Sequence, residues 1–318
     1  MSRSPETRQQ INAILRRVVT QIIPVSWKSS QNMPGAGGRK SFYRGQGDDY
    51  DGTVEYVPGD DTREIDWSAF AASGGLDLLV NVYKQDTDLK AFVLADVAPT
   101  IDFGTIRATK RELAAEIAAS CVRSLDETRD RVGLVIYCAD KVERYVPTRA
   151  AARMMFPTLT SILETRSSGG ETGDGLAKAL KALPTTRSLV LIVSDFNHVS
   201  EHSWNALKRA GGRHDILCFF IQDIRERELP DLDQGLKGPL AWLVRKLGFF
   251  YTLEDASGAR KQINVSAGAA KKYQDNFRKH EQSVLNRLKG SRCRYLAVST
   301  EEGEQAYPKL LRALAGKR

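Results

Sequence analysis

The 318-residue sequence predicts a doubly wound, mostly parallel α/β sheet with an N-terminal helix and a small β-rich region in front of it. Three observations predict this class. Short apolar runs recur at residues 90–96, 132–137, 188–195, 215–222 and 294–298, with the length and composition of strands buried on both faces. Stretches with apolar residues at helical spacing separate most of these runs, and that alternation favours a parallel sheet. Two of the runs end in an aspartate, Asp96 and Asp195, at the strand end where doubly wound sheets bind ligands.

The elements follow in order. Residues 4–23 read as an amphipathic helix, with Ser4 as N-cap, Pro5 at the first helical position, and Ile11, Ile14, Leu15, Val18, Val19 and Ile22 on one face. Pro24 ends it, and residues 28–53 have the polar, Gly-rich composition of a loop. Short strands are expected at 53–57 and 76–83. After the run at 90–96 comes a helix over about 105–127, with Ile106, Leu113, Ile117 and Cys121 on one face. Residues 142–146 read as an antiparallel edge strand. Helices are expected at 150–163, 176–183, near 203–210, at 267–289 and, closing the chain, at 305–315. The apolar-rich stretch 239–253 carries Arg245 and Lys246 and suits a core element or hairpin. The composition shift near residue 86 divides the chain into an N-terminal region, 1–85, and an α/β domain, 86–318.

Composition narrows the function classes. The net charge is +8, from 47 basic and 39 acidic residues, but the signs are mixed along the chain. No long basic run interleaved with aromatics argues for nucleic acid. Cys121, Cys138, Cys218 and Cys293 stand alone in apolar stretches without CxxC spacing, as buried reduced thiols do. Neither an apolar leader nor a window of about 18 apolar residues is present, so a soluble cytoplasmic protein without a membrane span is expected.

The candidate site lies where the strand ends meet. Asp96 continues as Asp96-Val97-Ala98-Pro99-Thr100, and a Gly-rich loop, residues 167–175, opens the helix that follows it. With Asp195 these loops offer hard oxygen ligands suited to Mg²⁺ or another divalent cation. The set resembles the metal-ion-dependent adhesion site of von Willebrand factor A domains. The resemblance assigns Asp96 as first aspartate, Thr100 in place of the second serine, Thr172 as loop threonine with Asp174 as the alternative, and Asp195 as last aspartate. Ala98 stands where the first serine belongs and cannot ligate, so the copy is degenerate and metal binding is expected to be weak or absent.

A second motif narrows the resemblance. Residues 55–67, Glu-Tyr-Val-Pro-Gly-Asp-Asp-Thr-Arg-Glu-Ile-Asp-Trp, are similar to the hallmark E-Y-x-x-G-D-x-x-R-x-I-D-W of a bacterial family catalogued as domain of unknown function number fifty-eight. Gly59, Asp60, Arg63, Asp66 and Trp67 carry the match, and Asp102-Phe103-Gly104 and Ser194-Asp195-Phe196 extend it. Val54 and Ala72 replace the arginines usual there. The resemblance implies a partner, a MoxR-type AAA+ ATPase, and a role in maturing or activating client proteins. A soluble MxaS-like branch of that family is tied to methanol dehydrogenase gene clusters. The hallmark also has a local reading: Pro58-Gly59-Asp60-Asp61 makes a turn, and Arg63 pairs with Asp66 and pins a buried Trp67 at the domain junction.

Together these readings point to a non-enzymatic adaptor. Two alternatives are a metal-dependent phosphohydrolase using the acidic crevice and a structural scaffold with a dead metal site. Other signals carry less. His198 and His202 have zinc-like spacing but no HExxH context, residues 35–41 lack the strand and spacing of a P-loop, and no nucleophilic triad has recognisable context. The basic residues of the helix at 267–289 form a solvated face.

Overall fold

The computed structural model describes residues 5–20, 49–58, 62–76, 78–84, 90–104, 108–166, 170, 172–197, 199–223, 226, 249–254, 260–265 and 267–301. Helix α1, Pro5–Thr20, has Pro5 at its first position, where a missing N–H costs nothing. Its buried residues Ile11, Ile14 and Val18 pack into the same core as the main sheet. Arg17 pairs with Glu116 at 2.9 Å across that contact. Part of the region 1–85 thus completes the core of the α/β domain.

Strands β1, Asp49–Glu55, and β2, Leu79–Lys84, form an antiparallel pair. Both lie near their expected positions, and β1 takes in residues expected as loop. Between them sits the short helix α2, Trp67–Ala72. Asp66 caps it, its Oδ1 accepting from the N–H groups of Ser68 and Ala69 at 3.0 Å each.

The main sheet follows the apolar runs almost residue for residue. It contains β3, Lys90–Asp96, β4, Arg131–Tyr137, β5, Val142–Ala150, β6, Leu189–Ser194, β7, Asp215–Gln222, and β10, Arg294–Ser299. Their order is β10-β7-β6-β3-β4-β5, and only the edge strand β5 is antiparallel. Counted within this sheet the order is 3-2-1-4-5-6, that of a doubly wound fold. The antiparallel third strand fits the von Willebrand A-like reading. The order reverses between β3 and β6, so Asp96 and Asp195 meet at the topological switch point.

Period-two alternation divides the core. Ala91, Val93 and Ala95 face α3, Lys110–Glu127, and α4, Met155–Glu164, while Phe92 and Leu94 face the other layer. That layer is α5, Gly175–Lys181, α6, Glu201–Arg213, and α7, Ala267–Gly290. Helix α3 starts at Lys110 rather than near 105, because Thr109 and Glu112 close a reciprocal capping box. A hairpin of β8, Phe249–Glu254, and β9, Arg260–Val265, precedes α7. The helix expected at 305–315, the Gly-rich stretch to residue 48, the P-loop-like residues 35–41, and residues 239–248 lie outside the described residues. All four cysteines are unpaired thiols. Among the described residues no helix is long and apolar enough to cross a membrane.

The packing of α1 on the main core generates the first prediction. Ile14 is 1% exposed against α3, so Ile14→Ala should cost about 2–5 kcal/mol through lost transfer energy and the cavity left behind. Chemical denaturation of the full chain measures it. An effect below about 0.5 kcal/mol, the level of a surface substitution, would show that α1 is not docked there.

Candidate functional site

Strand β3 delivers Asp96 and β6 delivers Asp195 to the switch point, both buried. The Asp96 carboxylate accepts from the Ala98 N–H at 2.9 Å and from Ser194 Oγ at 2.7 Å. Ser194 Oγ in turn accepts from the Phe196 N–H at 2.9 Å. Asp195 accepts from the Asn197 backbone N–H at 3.2 Å and from Asn197 Nδ2 at 3.0 Å. Thr100 lies beside Asp195 and helps to keep it ionised, although its buried Oγ1 forms no hydrogen bond of good geometry.

The centre of the site is a residue that the motif does not contain. Lys110 is the first residue of α3 and is 0% exposed. Its Nζ donates to Asp195 Oδ2 at 2.7 Å and to Glu226 Oε1 at 2.6 Å. Glu226 follows β7 in a tight turn, with its N–H on the carbonyl of Asp223 at 3.1 Å. Asp223 is itself buried and accepts from Thr300 Oγ1 at 2.6 Å.

The protonation states follow from this arrangement. Burial raises the Asp96 pKa to about 7; the neighbouring Asp195 charge adds to the rise, and the hydrogen bonds from Ala98 and Ser194 only partly offset it. Burial also works against the Asp195 charge, but the Lys110 ammonium outweighs it and holds that carboxyl below its usual value. Burial opposes the Lys110 charge as well, yet Asp195 and Glu226 together keep the ammonium above its ordinary pKa. Glu226 is pushed up by burial and by Asp195, against the pull of Lys110. Tyr137, at the end of β4, is raised by burial and by the nearby Asp96.

Arg111, the next residue, ties the surrounding loops together. Its guanidinium takes both oxygens of Asp102, at 2.5 and 3.0 Å, and reaches the carbonyls of Ile162 and Thr165 at 2.8 Å. Asp102 also accepts from Arg166 at 2.9 Å. A Cβ on Gly104 would stand 2.4 Å from Thr109 Cα, so only glycine lets the chain enter α3 here. The Asp102-Phe103-Gly104 motif is thus a device for placing Lys110.

Thr172 and Asp174 bond to other groups. Thr172 gives both its N–H and its Oγ1 to Asp140 Oδ1 at 2.7 Å. Asp174 accepts from Ser200 Oγ at 2.5 Å and faces His202 Nδ1 at 3.4 Å. Neither joins the hydrogen-bonded network of Asp96, Asp195 and Lys110. His198, the other half of the zinc-like spacing, lies outside the described residues, as do Gly59 and Asp60 of the hallmark. Trp67 differs from expectation. Asp66 is used as a helix cap, and Trp67 is 62% exposed, with edge-to-face contact to Phe70, rather than buried at a junction.

These residues do not fit a divalent cation. Ala98 offers no oxygen, Thr172 and Asp174 are committed to other partners, and an ammonium already sits within 2.7 Å of Asp195. No group of three or more His, Cys, Asp or Glu among the described residues could hold a metal. Lys110, Glu226, Arg111 and Asp140 escaped the sequence reading. Lys110 alone left a trace there: a cation in the first turn of a helix is opposed by the helix dipole and so needs a local reason.

The raised Asp96 pKa generates the second prediction. The native state holds this proton up to about pH 7, whereas the unfolded chain releases it near 3.8. The Asp96 contribution is therefore most favourable below about pH 4 and declines as pH rises towards 7, with a limiting slope of roughly 1.4 kcal/mol per pH unit. Asp96→Asn should remove that decline, seen as a smaller stability difference between pH 5 and pH 7.5 in urea titrations. An unchanged slope would show that Asp96 is ionised throughout.

Comparison with known proteins supplies the family. Residues 53–237, more than half of the chain, match the family described as "Protein of unknown function DUF58". Uncharacterized proteins of Mycobacterium tuberculosis and Mycobacterium bovis are 30% identical over 206 residues, 63% of this chain and 63% of theirs. The match therefore spans less than two thirds of those relatives. Among solved structures the chain is similar to the conserved hypothetical protein BatB from Bacteroides thetaiotaomicron, at 12% identity and a TM-score of 0.42, covering 72% of this chain and 100% of that one. It is also similar to a von Willebrand factor type A protein from Catenulispora acidiphila, at 11% identity and a TM-score of 0.36, covering 74% of this chain and 44% of that one. The fold assignment rests on the strand order and register, and the family on the sequence match: the chain belongs to the DUF58 family.

Proposed function

We propose that this protein is a non-catalytic adaptor that acts with a MoxR-type AAA+ ATPase in maturing or activating a client protein. One observation carries the non-catalytic part. At the ligand-binding end of the sheet Asp96, Asp102, Asp195 and Asp223 are each engaged by a group of the same chain. A phosphohydrolase would need an open metal position and a positioned nucleophile, and Lys110 fills the place where the cation would bind. The ATPase and the client come from the family resemblance. A methanol dehydrogenase client belongs to the MxaS-like branch of that resemblance and is the narrower form of the proposal. A cytoplasmic location goes with it.

The surface offers a contact for such a partner. Val57, Trp67 and Leu76, from the β1–β2 region, are 54%, 62% and 86% exposed. Exposed tryptophans of this kind anchor interfaces when a partner covers them. The hallmark residue Trp67 is therefore the better candidate for first contact than the buried Asp195.

This generates the third prediction. Capture of the ATPase by the full chain should withstand EDTA, once the Mg²⁺ needed by the ATPase nucleotide is controlled for. Trp67→Ala should weaken it about tenfold or more while leaving thermal unfolding unchanged. Hydrolysis of a generic phosphate ester by the purified chain with Mg²⁺ or Mn²⁺, lost in Asp195→Ala, would instead support the enzyme reading and refute the adaptor.

A further inference from the structure

Lys110 is held from two sides. The capping box fixes its backbone at the start of α3, and Asp195 fixes its ammonium. The third member of the network is different in kind. The Glu226 side chain is 20% exposed, against 2% for Asp195 and 0% for Lys110. Departure of Glu226 would not strand a charge, because Lys110 and Asp195 remain a neutral pair. Departure of Asp195 would leave Glu226 alone to balance a fully buried ammonium. A buried charge is costly unless paired, so the contact with Glu226 is the exchangeable one.

We propose that Glu226 is the internal occupant of a carboxylate-binding socket built on Lys110, and that an acidic side chain of a partner protein takes its place. Asp195, the fixed partner of Lys110, lies at the switch point, where doubly wound sheets bind ligands. Charge selects the ligand. A single carboxylate brings no more charge than Glu226 does and replaces its hydrogen bond to the ammonium. A phosphate group would bring close to two negative charges at neutral pH to a site where one ammonium already faces Asp195, with Asp96 nearby. Burial and the Asp195 charge both disfavour ionised Glu226, which lowers the cost of its release. That the ligand is a protein side chain rests on the adaptor reading; that the socket accepts a carboxylate does not.

The test uses propionate, which has the shape of the end of a glutamate side chain. Thermal unfolding of the full chain is followed in sodium propionate, in sodium chloride of equal ionic strength, and in neutral propionamide. Propionate should raise the Tm of Glu226→Ala by about 2–4 °C, saturably, and should do little for wild type. Propionamide should have no effect on either. The double variant Lys110→Met/Glu226→Ala should lose the response. Glu226→Gln keeps the side-chain volume and covers the case in which the alanine variant does not fold; it too should gain more from propionate than wild type does. Absence of any propionate-specific gain in a folded Glu226 variant, or an equal gain without Lys110, would overturn the proposal. No ATPase enters this measurement. Propionate binding without ATPase capture would sink the adaptor reading alone, and the converse would sink the socket alone.

Discussion

The salt bridge between Lys110 and Asp195 is the contact on which the ligand-binding end of the sheet depends. Every general tendency opposes a lysine at this position. It is fully desolvated, and it sits in the first turn of α3, where the helix dipole repels a cation. The carboxylates of Asp195 at 2.7 Å and Glu226 at 2.6 Å make the charge tolerable. Removing Lys110 would leave Asp195 buried without a cation, at a cost of about 3–5 kcal/mol, and removing Asp195 would leave Lys110 only Glu226. Lys110 and Arg111 are consecutive on a helix, so their side chains diverge. One reaches the end of β6 and the other clamps Asp102 and the carbonyls of Ile162 and Thr165 at the end of α4. The first turn of α3 therefore holds the two halves of the doubly wound sheet together at the point where they part.

The Ser194-Asp195-Phe196 motif is the counterpart of that turn. Ser194 serves Asp96, Asp195 serves Lys110, and the Phe196 N–H donates to Ser194 Oγ. Phe196 has a φ of 50°, in the left-handed region that an aromatic residue rarely occupies. It is held there by stacking on Trp204 at 5.6 Å and by edge contact with Phe220 at 6.0 Å. Backbone strain of this kind persists where the surroundings fix it, and it gathers at functional sites. Here it turns the chain after β6, while Ser194 and Asp195, as consecutive strand-end residues, point to opposite sides and serve different partners.

The sheet was legible in the sequence because a buried parallel strand has no polar face. The runs at 90–96 and 215–222 match β3 and β7 to the residue. The edge strand β5 showed through its mixed polarity. The contacts of α1 with the core were not legible, since periodicity gives a face but not its partner. Asp96 and Asp195 were legible because an acid ending an apolar run is costly without a purpose. Lys110 was not: a lysine in a helix is a solvated residue by default, and only the fold shows that this one points inward. Thr172 was misplaced because a Gly-rich loop gives no register, and the Asp140 carboxylate that captures it lies 32 residues away in sequence. Trp67 was expected to be pinned at the domain junction, but it opens α2 with 62% of its surface exposed.

Burial raises the pKa of Asp96 and of Glu226, and the single charge of Lys110 holds one acid ionised against it. A divalent ion can hold two carboxylates ionised side by side. An ammonium can hold one. Around Lys110 that one is Asp195, whose pKa is lowered, while those of Asp96 and Glu226 are raised. Ala98 fits the same pattern. A serine hydroxyl there would add an oxygen that no cation requires, and the Ala98 backbone N–H already occupies one side of Asp96. The charge beside Asp195 in this structure is the tethered ammonium of Lys110. A tethered cation cannot dissociate, so access to such a site is governed by what covers it. In this fold that cover is Glu226, which contacts the ammonium at 2.6 Å and is the most exposed of the groups bonded to it.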